Sequence, residues 1–140
     1  MTTPLESALG DALRGEYAAI FAYAVVGPRL VGPARALALQ YEAAHRTQRD
    51  SLLVTLTTPP AAEAIYALPF PVNDAPSAIA LAVYVEDRCA VLWRAVVVAS
   101  SGANRRSPLT VLTDTALRAA ALRRAGGAVP GTVPFPGLTA

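Results

Sequence analysis

The chain has 140 residues, enough for one domain and too few for two. Its 12 basic residues are all arginines, spread along the sequence against 10 acidic residues. Proteins that follow a phosphate backbone usually cluster their basic side chains on one face, so this distribution argues against nucleic-acid binding. The hydrophobic share of 54% is high for a small chain, which favours burial between subunits and predicts a homodimer.

The chain carries none of the usual signals for export or membrane insertion. Met1 to Pro4 lack a basic start followed by an apolar stretch, so no signal peptide is predicted. The longest apolar runs, such as residues 18 to 27, fall short of the roughly 18 residues that a membrane span needs. The one cysteine, Cys89, lies in an apolar helical pattern and is predicted to be a buried small hydrophobe. We therefore expect a cytoplasmic protein without a membrane partner.

Two helices are predicted in the first half of the chain. The first runs from about Pro4 to Val26, where Gly27 and Pro28 stop it. The second begins at Gly32-Pro33, with proline in the first turn, and continues to about Leu56. The few residues between them predict antiparallel neighbours.

Two more helices are predicted in the second half, each opened by a capping residue and a proline. The third runs from Asp74-Ala75-Pro76 to about Ser101-Gly102, and the fourth from Ser107-Pro108 to Gly126-Gly127. A long proline-rich connection, Thr58 to Asp74, separates the second helix from the third. Two antiparallel helical hairpins joined by one long crossover form the ferritin-like arrangement, so we predict an all-α, ferritin-like four-helix bundle over residues 1–125.

Residues 126–140 form a predicted Pro/Gly-rich C-terminal tail without helical periodicity. Its Val133-Pro134-Phe135-Pro136 repeats the pattern of Leu68-Pro69-Phe70-Pro71 in the crossover. One interpretation is that each loop pins its phenylalanine against the bundle. The alternative is a docking peptide for a protein partner.

Two glutamates lie within otherwise apolar helical stripes. Glu16 is central to the stripe of Leu9, Leu13, Ile20 and Tyr23. Glu86 has the matching position in the third helix, in the stripe Ile79, Val83, Ala90, Trp93 and Val97. A buried carboxylate is costly unless it is paired or bound to a cation, so both are candidate site residues.

The second helix adds a Glu-x-x-His unit, Glu42 and His45, whose side chains project from neighbouring positions of one face. A lone glutamate followed by such a unit is half of a di-iron carboxylate site, and these ligands suit iron, manganese or zinc. The fourth helix lacks the second unit. Its nearest acidic residue is Asp114, followed by Leu117 and Arg118. The candidate metal ligands are therefore Glu16, Glu42, His45, Glu86 and Asp114, in a degenerate di-metal site.

Several segments resemble an uncharacterised bacterial family of ferritin-like domains of unknown function. They are residues 15–19, 44–50, 66–72 and 86–88, with the closing Phe135-Pro136-Gly137-Leu138. The resemblance spans nearly the whole chain and implies the ferritin-like fold. It implies no established activity.

The acidic residues have a metal-free alternative, an ion-pair network with arginine. Arginine presents a fork of donors that matches a carboxylate. The candidate partners are Arg46, Arg49, Arg88 and Arg118. We therefore predict a non-catalytic, dimerising bundle with a degenerate di-metal site. The alternative is an iron-, manganese- or zinc-binding protein with a partial di-iron carboxylate site and redox activity.

Overall fold

The computed structural model describes residues 1–138 and confirms the all-helical fold class. Within that range there are four α-helices and no strand, and two short 3-10 turns lie at Gly27–Arg29 and Gly102–Arg105. None of these helices is long and apolar enough to cross a membrane. The helices are α1 (Pro4–Val26), α2 (Gly32–Thr55), α3 (Ala75–Ala99) and α4 (Arg106–Ala125).

Capping residues and prolines fix where two of these helices begin. Thr3 accepts a hydrogen bond from the backbone N–H of Glu6 through its hydroxyl, and its own backbone N–H donates to the Glu6 carboxylate. Asp74 and Ser77 form the same reciprocal pair at the start of α3. Such a capping box satisfies two N–H groups that a helix start otherwise leaves unpaired.

Contacts near the middle and one end of the bundle determine the helix directions. A cleft at that end is lined by residues from each helix, among them Leu9, Leu52, Val96 and Val111. Near the middle, one residue from each helix also meets the others: Glu16, His45, Glu86 and Arg118. Residue numbers therefore rise toward that end in α2 and α3 and fall toward it in α1 and α4. The molecule consists of two antiparallel hairpins, and the parallel α2 and α3 require a connection that returns along the bundle.

That connection, residues 56–74, runs along α1. Tyr17 donates to the carbonyl oxygen of Pro60 at 3.3 Å. The rings of Phe21 and Tyr66 lie 5.5 Å apart, and Arg29 donates to the carbonyl oxygen of Asn73. Contact positions rise together in the two segments, so the crossover is parallel to α1 and covers it.

Small residues let α1 and α3 approach closely. Ala12, Ala19 and Ala22 of α1 and Ala78 and Ala82 of α3 are all buried. A side-chain carbon added at Gly15 would lie 2.3 Å from Cδ1 of Leu92. The narrow separation brings polar side chains of the two helices within hydrogen-bonding distance at the bundle centre.

The two proline-phenylalanine segments differ in the way they meet the helices. The Phe70 ring packs against Tyr84 of α3, edge to face, with ring centroids 6.3 Å apart. The Phe135 side chain is 76% exposed and its backbone φ is 50°, so the expectation that both rings are pinned is wrong for Phe135. The tail is held instead at buried Gly131 and at Gly137. Residues 139 and 140 of the predicted tail lie outside the described residues.

Candidate functional site: a buried charged cluster

Three of the predicted site residues meet at the bundle centre. Glu16 of α1, His45 of α2 and Glu86 of α3 are fully buried. His45 Nδ1 lies 2.6 Å from Oε2 of Glu16, and its Nε2 lies 3.0 Å from Oε1 of Glu86. A single imidazole thus bridges two carboxylates, and a protonated ring donates at both nitrogens.

Two aromatic side chains complete the hydrogen bonding of the carboxylates. Trp93 donates its indole N–H to Oε1 of Glu16 at 2.7 Å, and Tyr23 donates its hydroxyl to Oε1 of Glu86 at 2.7 Å. Each aromatic residue lies seven positions after the glutamate of its own helix, hence on the same face. Because α1 and α3 are antiparallel, each aromatic residue meets the glutamate of the other helix.

Helix α4 contributes a guanidinium. Arg118 donates through Nε to both oxygens of Glu86, each at 3.1 Å, and through Nη2 to the hydroxyl of Thr115. Its guanidinium carbon also lies 6.0 Å from the ring centroid of Tyr41. We call Glu16, His45, Glu86 and Arg118 the central cluster.

The charges of the central cluster balance. Burial alone would lower the pKa of His45, but its hydrogen bonds to Glu16 and Glu86 outweigh burial and raise that pKa from 6.5 to about 9. Burial opposes ionisation of Glu86, yet its bonds to His45 and the charge of Arg118 lower its pKa overall. Two carboxylates therefore face an imidazolium and a guanidinium. Throughout residues 1–138, no buried side-chain nitrogen or oxygen lacks a hydrogen-bond partner.

Cys89 borders the central cluster. One ligand atom each from Cys89, Glu16 and His45 lie within 4.8 Å of one another, and all three residues are buried. The thiol also lies 3.7 Å from the carbonyl oxygen of Gly15. Burial, together with the nearby carboxylate charges, raises the pKa of the thiol well above its ordinary value. Cys89 is therefore buried, as expected. It also lies next to the titratable groups of the central cluster, three residues after Glu86 in α3.

Two candidate metal ligands do not join the central cluster. Glu42 accepts a hydrogen bond at 2.7 Å from Arg46, four positions later on the partly exposed face of α2. Asp114 is exposed on α4. The inward position next to it belongs to Thr115, whose hydroxyl donates to the helix backbone.

Of the four arginines proposed as ion-pair partners, only Arg118 reaches a buried carboxylate. Arg46 pairs with Glu42, and Arg49 pairs with Asp50 at 2.8 Å. Arg88 is exposed on the outer side of α3. Sequence reasoning could not choose among these arginines because helical periodicity does not give the offset between neighbouring helices.

A di-iron carboxylate site does not fit these residues. Such a site takes a carboxylate from each of four helices and a histidine from two of them. Here two helices supply glutamates and one supplies a histidine, while α4 supplies the guanidinium of Arg118. The cationic side chains of His45 and Arg118 occupy the oxygens that two metal ions would need.

Comparisons with known proteins give a family and a related structure. A family model described as "Domain of unknown function (DUF4439)" matches residues 8–140. The crystal structure of a conserved hypothetical protein, rv2844, from Mycobacterium tuberculosis is 35% identical in sequence. It matches over 87% of this chain and 96% of that chain, with a TM-score of 0.83. No curated protein matches.

Proposed function

The chain belongs to the family described as a domain of unknown function, DUF4439, and we propose a role for it from the geometry of the central cluster. In this proposal the chain is a non-catalytic, ferritin-like bundle whose role is to associate with a second copy as a homodimer. The two antiparallel hairpins and the long crossover along α1 support the ferritin-like assignment.

The observation that carries the non-catalytic, metal-free part of this proposal is the internal neutralisation of the two buried glutamates. His45 bridges Glu16 and Glu86, and Arg118 donates to both oxygens of Glu86. A divalent cation entering the cluster would have to displace the Nδ1 proton that His45 donates to Glu16 and move the guanidinium away. Each displacement would break charge-assisted hydrogen bonds. Because the cluster is shielded from water, the freed charges could not be hydrated, so each displacement is unfavourable.

The surroundings of the cluster also favour a structural role. Its glutamates and histidine have no exposed surface. The surface grooves of about 520 and 580 Å³ are lined by other residues, between α3 and the tail and around the start of α1. A substrate bound in either groove would not touch the titratable groups at the centre.

Metal analysis tests the proposal. The protein is purified without chelator and then incubated with ferrous, manganous and zinc ions. We expect substoichiometric metal and an unchanged melting temperature, and light scattering should give a dimer at micromolar concentration. Stoichiometric metal that is lost in His45→Ala but kept in Glu42→Ala would overturn the metal-free proposal, because Glu42 lies outside the cluster.

A second candidate function, binding of one divalent ion, is favoured by the approach of Glu16, His45 and Cys89. A carboxylate, an imidazole and a thiolate form a ligand set that zinc accepts. Titration with cobalt(II) separates this candidate from the first, because a cobalt–thiolate bond gives an intense near-ultraviolet charge-transfer band. The band should appear with the native chain and vanish in Cys89→Ser. Its absence in the native chain would end the candidate.

Two further expectations stay predictions. The exposed Phe135 ring supports the expectation that the tail is a docking peptide for a protein partner. Deletion of the residues after Gly127 should then abolish partner capture. The cytoplasmic location can be checked by fractionating cells.

A further inference from the structure

The groove between α3 and the tail gathers exposed apolar side chains into one place. Its volume is about 520 Å³, within the range of roughly 300–1,000 Å³ that small-molecule sites have. Single exposed apolar side chains are common on protein surfaces, whereas a contiguous apolar patch marks a binding groove. The large apolar and aromatic side chains that line this groove, all at least 36% exposed, are Tyr84, Val91, Val133, Phe135 and Leu138.

The α3 wall of the groove combines apolar side chains with one guanidinium. Tyr84, Arg88 and Val91 follow at steps of four and three residues, so they lie side by side on one face of the helix. Arg88 is exposed and forms no ion pair within residues 1–138. A molecule lying along this wall would therefore meet apolar surface and an uncompensated positive charge together.

The other two charged groups of the lining neutralise each other. Asp87 pairs through Oδ2 with the guanidinium of Arg123. The groove thus has a net charge of one, from Arg88, which suits an anion of single charge. A guanidinium presents two parallel N–H donors that match a carboxylate. A phosphate monoester carries about −1.5 to −2 charges at neutral pH, more than one guanidinium balances.

The tail forms the other wall and keeps an aromatic ring exposed there. The Phe135 side chain is 76% exposed, and its φ of 50° lies in the left-handed region. A bulky residue rarely adopts this conformation, because its β-carbon crowds the following carbonyl oxygen. The ring is therefore held in water by a strained backbone. Strain of this kind is concentrated at ligand-binding segments, and a bound molecule would cover the ring.

We propose that the groove between α3 and residues 133–138 binds a small molecule with a single carboxylate on an aromatic body. The carboxylate pairs with Arg88, and the ring packs between Phe135 and the side chains of Tyr84 and Val91. Two aromatic side chains in the lining favour a ring as the ligand's body, because rings pack well in offset or edge-to-face contact. The site goes beyond the homodimer proposed above and requires neither the dimer nor a metal ion.

Naphthalene derivatives of similar shape test the charge preference by isothermal titration calorimetry. Naphthoate should bind the native chain roughly tenfold more tightly than naphthylmethanol, and naphthylmethylamine should bind more weakly than either. Naphthyl phosphate should bind no more tightly than naphthoate, because Arg88 is the only uncompensated charge among the described lining residues. Equal affinity for the acid and the alcohol, or a preference for the amine or the phosphate, overturns the proposal. So does the absence of naphthoate binding at millimolar concentration.

Two substitutions at exposed positions separate the charge from the ring. Arg88→Met should weaken naphthoate roughly tenfold and leave naphthylmethanol nearly unchanged, so the preference for the acid disappears. Phe135→Ala should weaken both ligands by a similar factor, because it removes an apolar contact that they share. Arg35→Met is the matched control: Arg35 is exposed on α2, and no residue of α2 lines the groove. Circular dichroism verifies that each variant is folded.

The control defines the contrary result. If naphthoate binds Arg88→Met as tightly as the native chain, or if Arg35→Met weakens it to the same degree as Arg88→Met, the carboxylate does not pair with Arg88 and the proposal is wrong.

Amide chemical shifts locate the ligand independently. On addition of naphthoate, the amide signals of residues 84–92 and 132–138 should shift, and those of α2 should stay unchanged. Shifts of similar size along α2, or none in the tail, would place the ligand on another surface and contradict the proposed site.

Discussion

The indole nitrogen of Trp93 lies 2.7 Å from Oε1 of Glu16, on the opposite helix. The contact has a counterpart in which Tyr23 of α1 donates to Glu86 of α3 at 2.7 Å. Each helix thus supplies one buried acceptor and one aromatic donor. As a result, each carboxylate receives one of its hydrogen bonds from the other helix of this α1–α3 pair.

The first prediction concerns the Tyr23 hydroxyl. Tyr23→Phe should lower the free energy of unfolding by about 1.5–3 kcal/mol, because it removes a buried hydrogen bond to a charged group. Urea denaturation followed by circular dichroism measures the loss. Tyr41→Phe is the control. Within residues 1–138 the Tyr41 ring contacts the Arg118 guanidinium but its hydroxyl makes no hydrogen bond, so this substitution should cost far less. Equal losses in the two variants would contradict a special role for the Tyr23–Glu86 bond.

The second prediction concerns the buried guanidinium. Arg118→Met should destabilise the fold by roughly 3–5 kcal/mol, because Glu86 would lose a buried ion pair while staying in the core. Arg49→Met breaks the exposed pair with Asp50. That control should cost no more than about 1 kcal/mol. If the two substitutions cost the same, Arg118 does not neutralise the cluster.

The third prediction is a loss of stability at alkaline pH. The pKa of His45 is raised from 6.5 to about 9 in the folded chain, so the folded state holds a proton that the unfolded state releases. Its stabilising contribution is complete below pH 6.5 and is lost as the pH rises through about 9. The total loss is on the order of 3 kcal/mol, at about 1.4 kcal/mol per pH unit.

Unfolding of the native chain and of His45→Gln across this pH window measures the effect. The free energy of unfolding should fall with rising pH in the native chain. It should stay nearly constant in His45→Gln, because the glutamine amide does not titrate. A native slope that survives in His45→Gln would assign the pH dependence to another group. Cys89, whose folded pKa is raised well above its ordinary value of 9.0, would contribute only above this window.

The fourth prediction concerns the attachment of the tail. A side-chain carbon at Gly137 would lie 2.5 Å from the carbonyl oxygen of Ala90, and Gly137 has a φ of +80°. Gly137→Ala should therefore detach residues 132–138 and speed amide exchange there, with α1 unaffected. Gly127→Ala shares the positive φ but meets no atom within 4 Å, so it isolates the effect of backbone strain. Unchanged exchange at the tail in Gly137→Ala would show that this contact does not hold it.

The helices and their order could be predicted because their signals are local. Proline and glycine mark the boundaries within a few positions, and capping residues mark the starts of α1 and α3. The predicted cap Ser107 lies inside α4, which begins at Arg106 without a side-chain cap. The apolar stripes also predicted that Glu16 and Glu86 face inward, since a residue in the middle of a buried stripe has no other direction. His45 was expected at the same site from the Glu-x-x-His unit. The long crossover predicted the parallel α2 and α3, because only a connection of that length returns along the bundle.

The rest of the site depends on contacts between helices, which local patterns do not contain. Glu42 is about 60° around the helix from His45, at the edge of the buried face, and Arg46 one turn later holds it outside. Trp93 looked like an ordinary core residue. A signal was nevertheless available, since Glu86 and Trp93 are seven residues apart in α3, as Glu16 and Tyr23 are in α1.

The alanine-rich contact between α1 and α3 has a consequence for the uniqueness of the fold. A slip of α1 along α3 by one turn, about 5.4 Å, would move the Leu92 side chain away from Gly15, the position in α1 where no β-carbon meets it. Such a slip would separate Trp93 from Glu16 and Tyr23 from Glu86 simultaneously, leaving two carboxylates without these donors. The reciprocal polar contacts therefore fix the axial register of α1 against α3 and destabilise bundles in which the two helices are shifted.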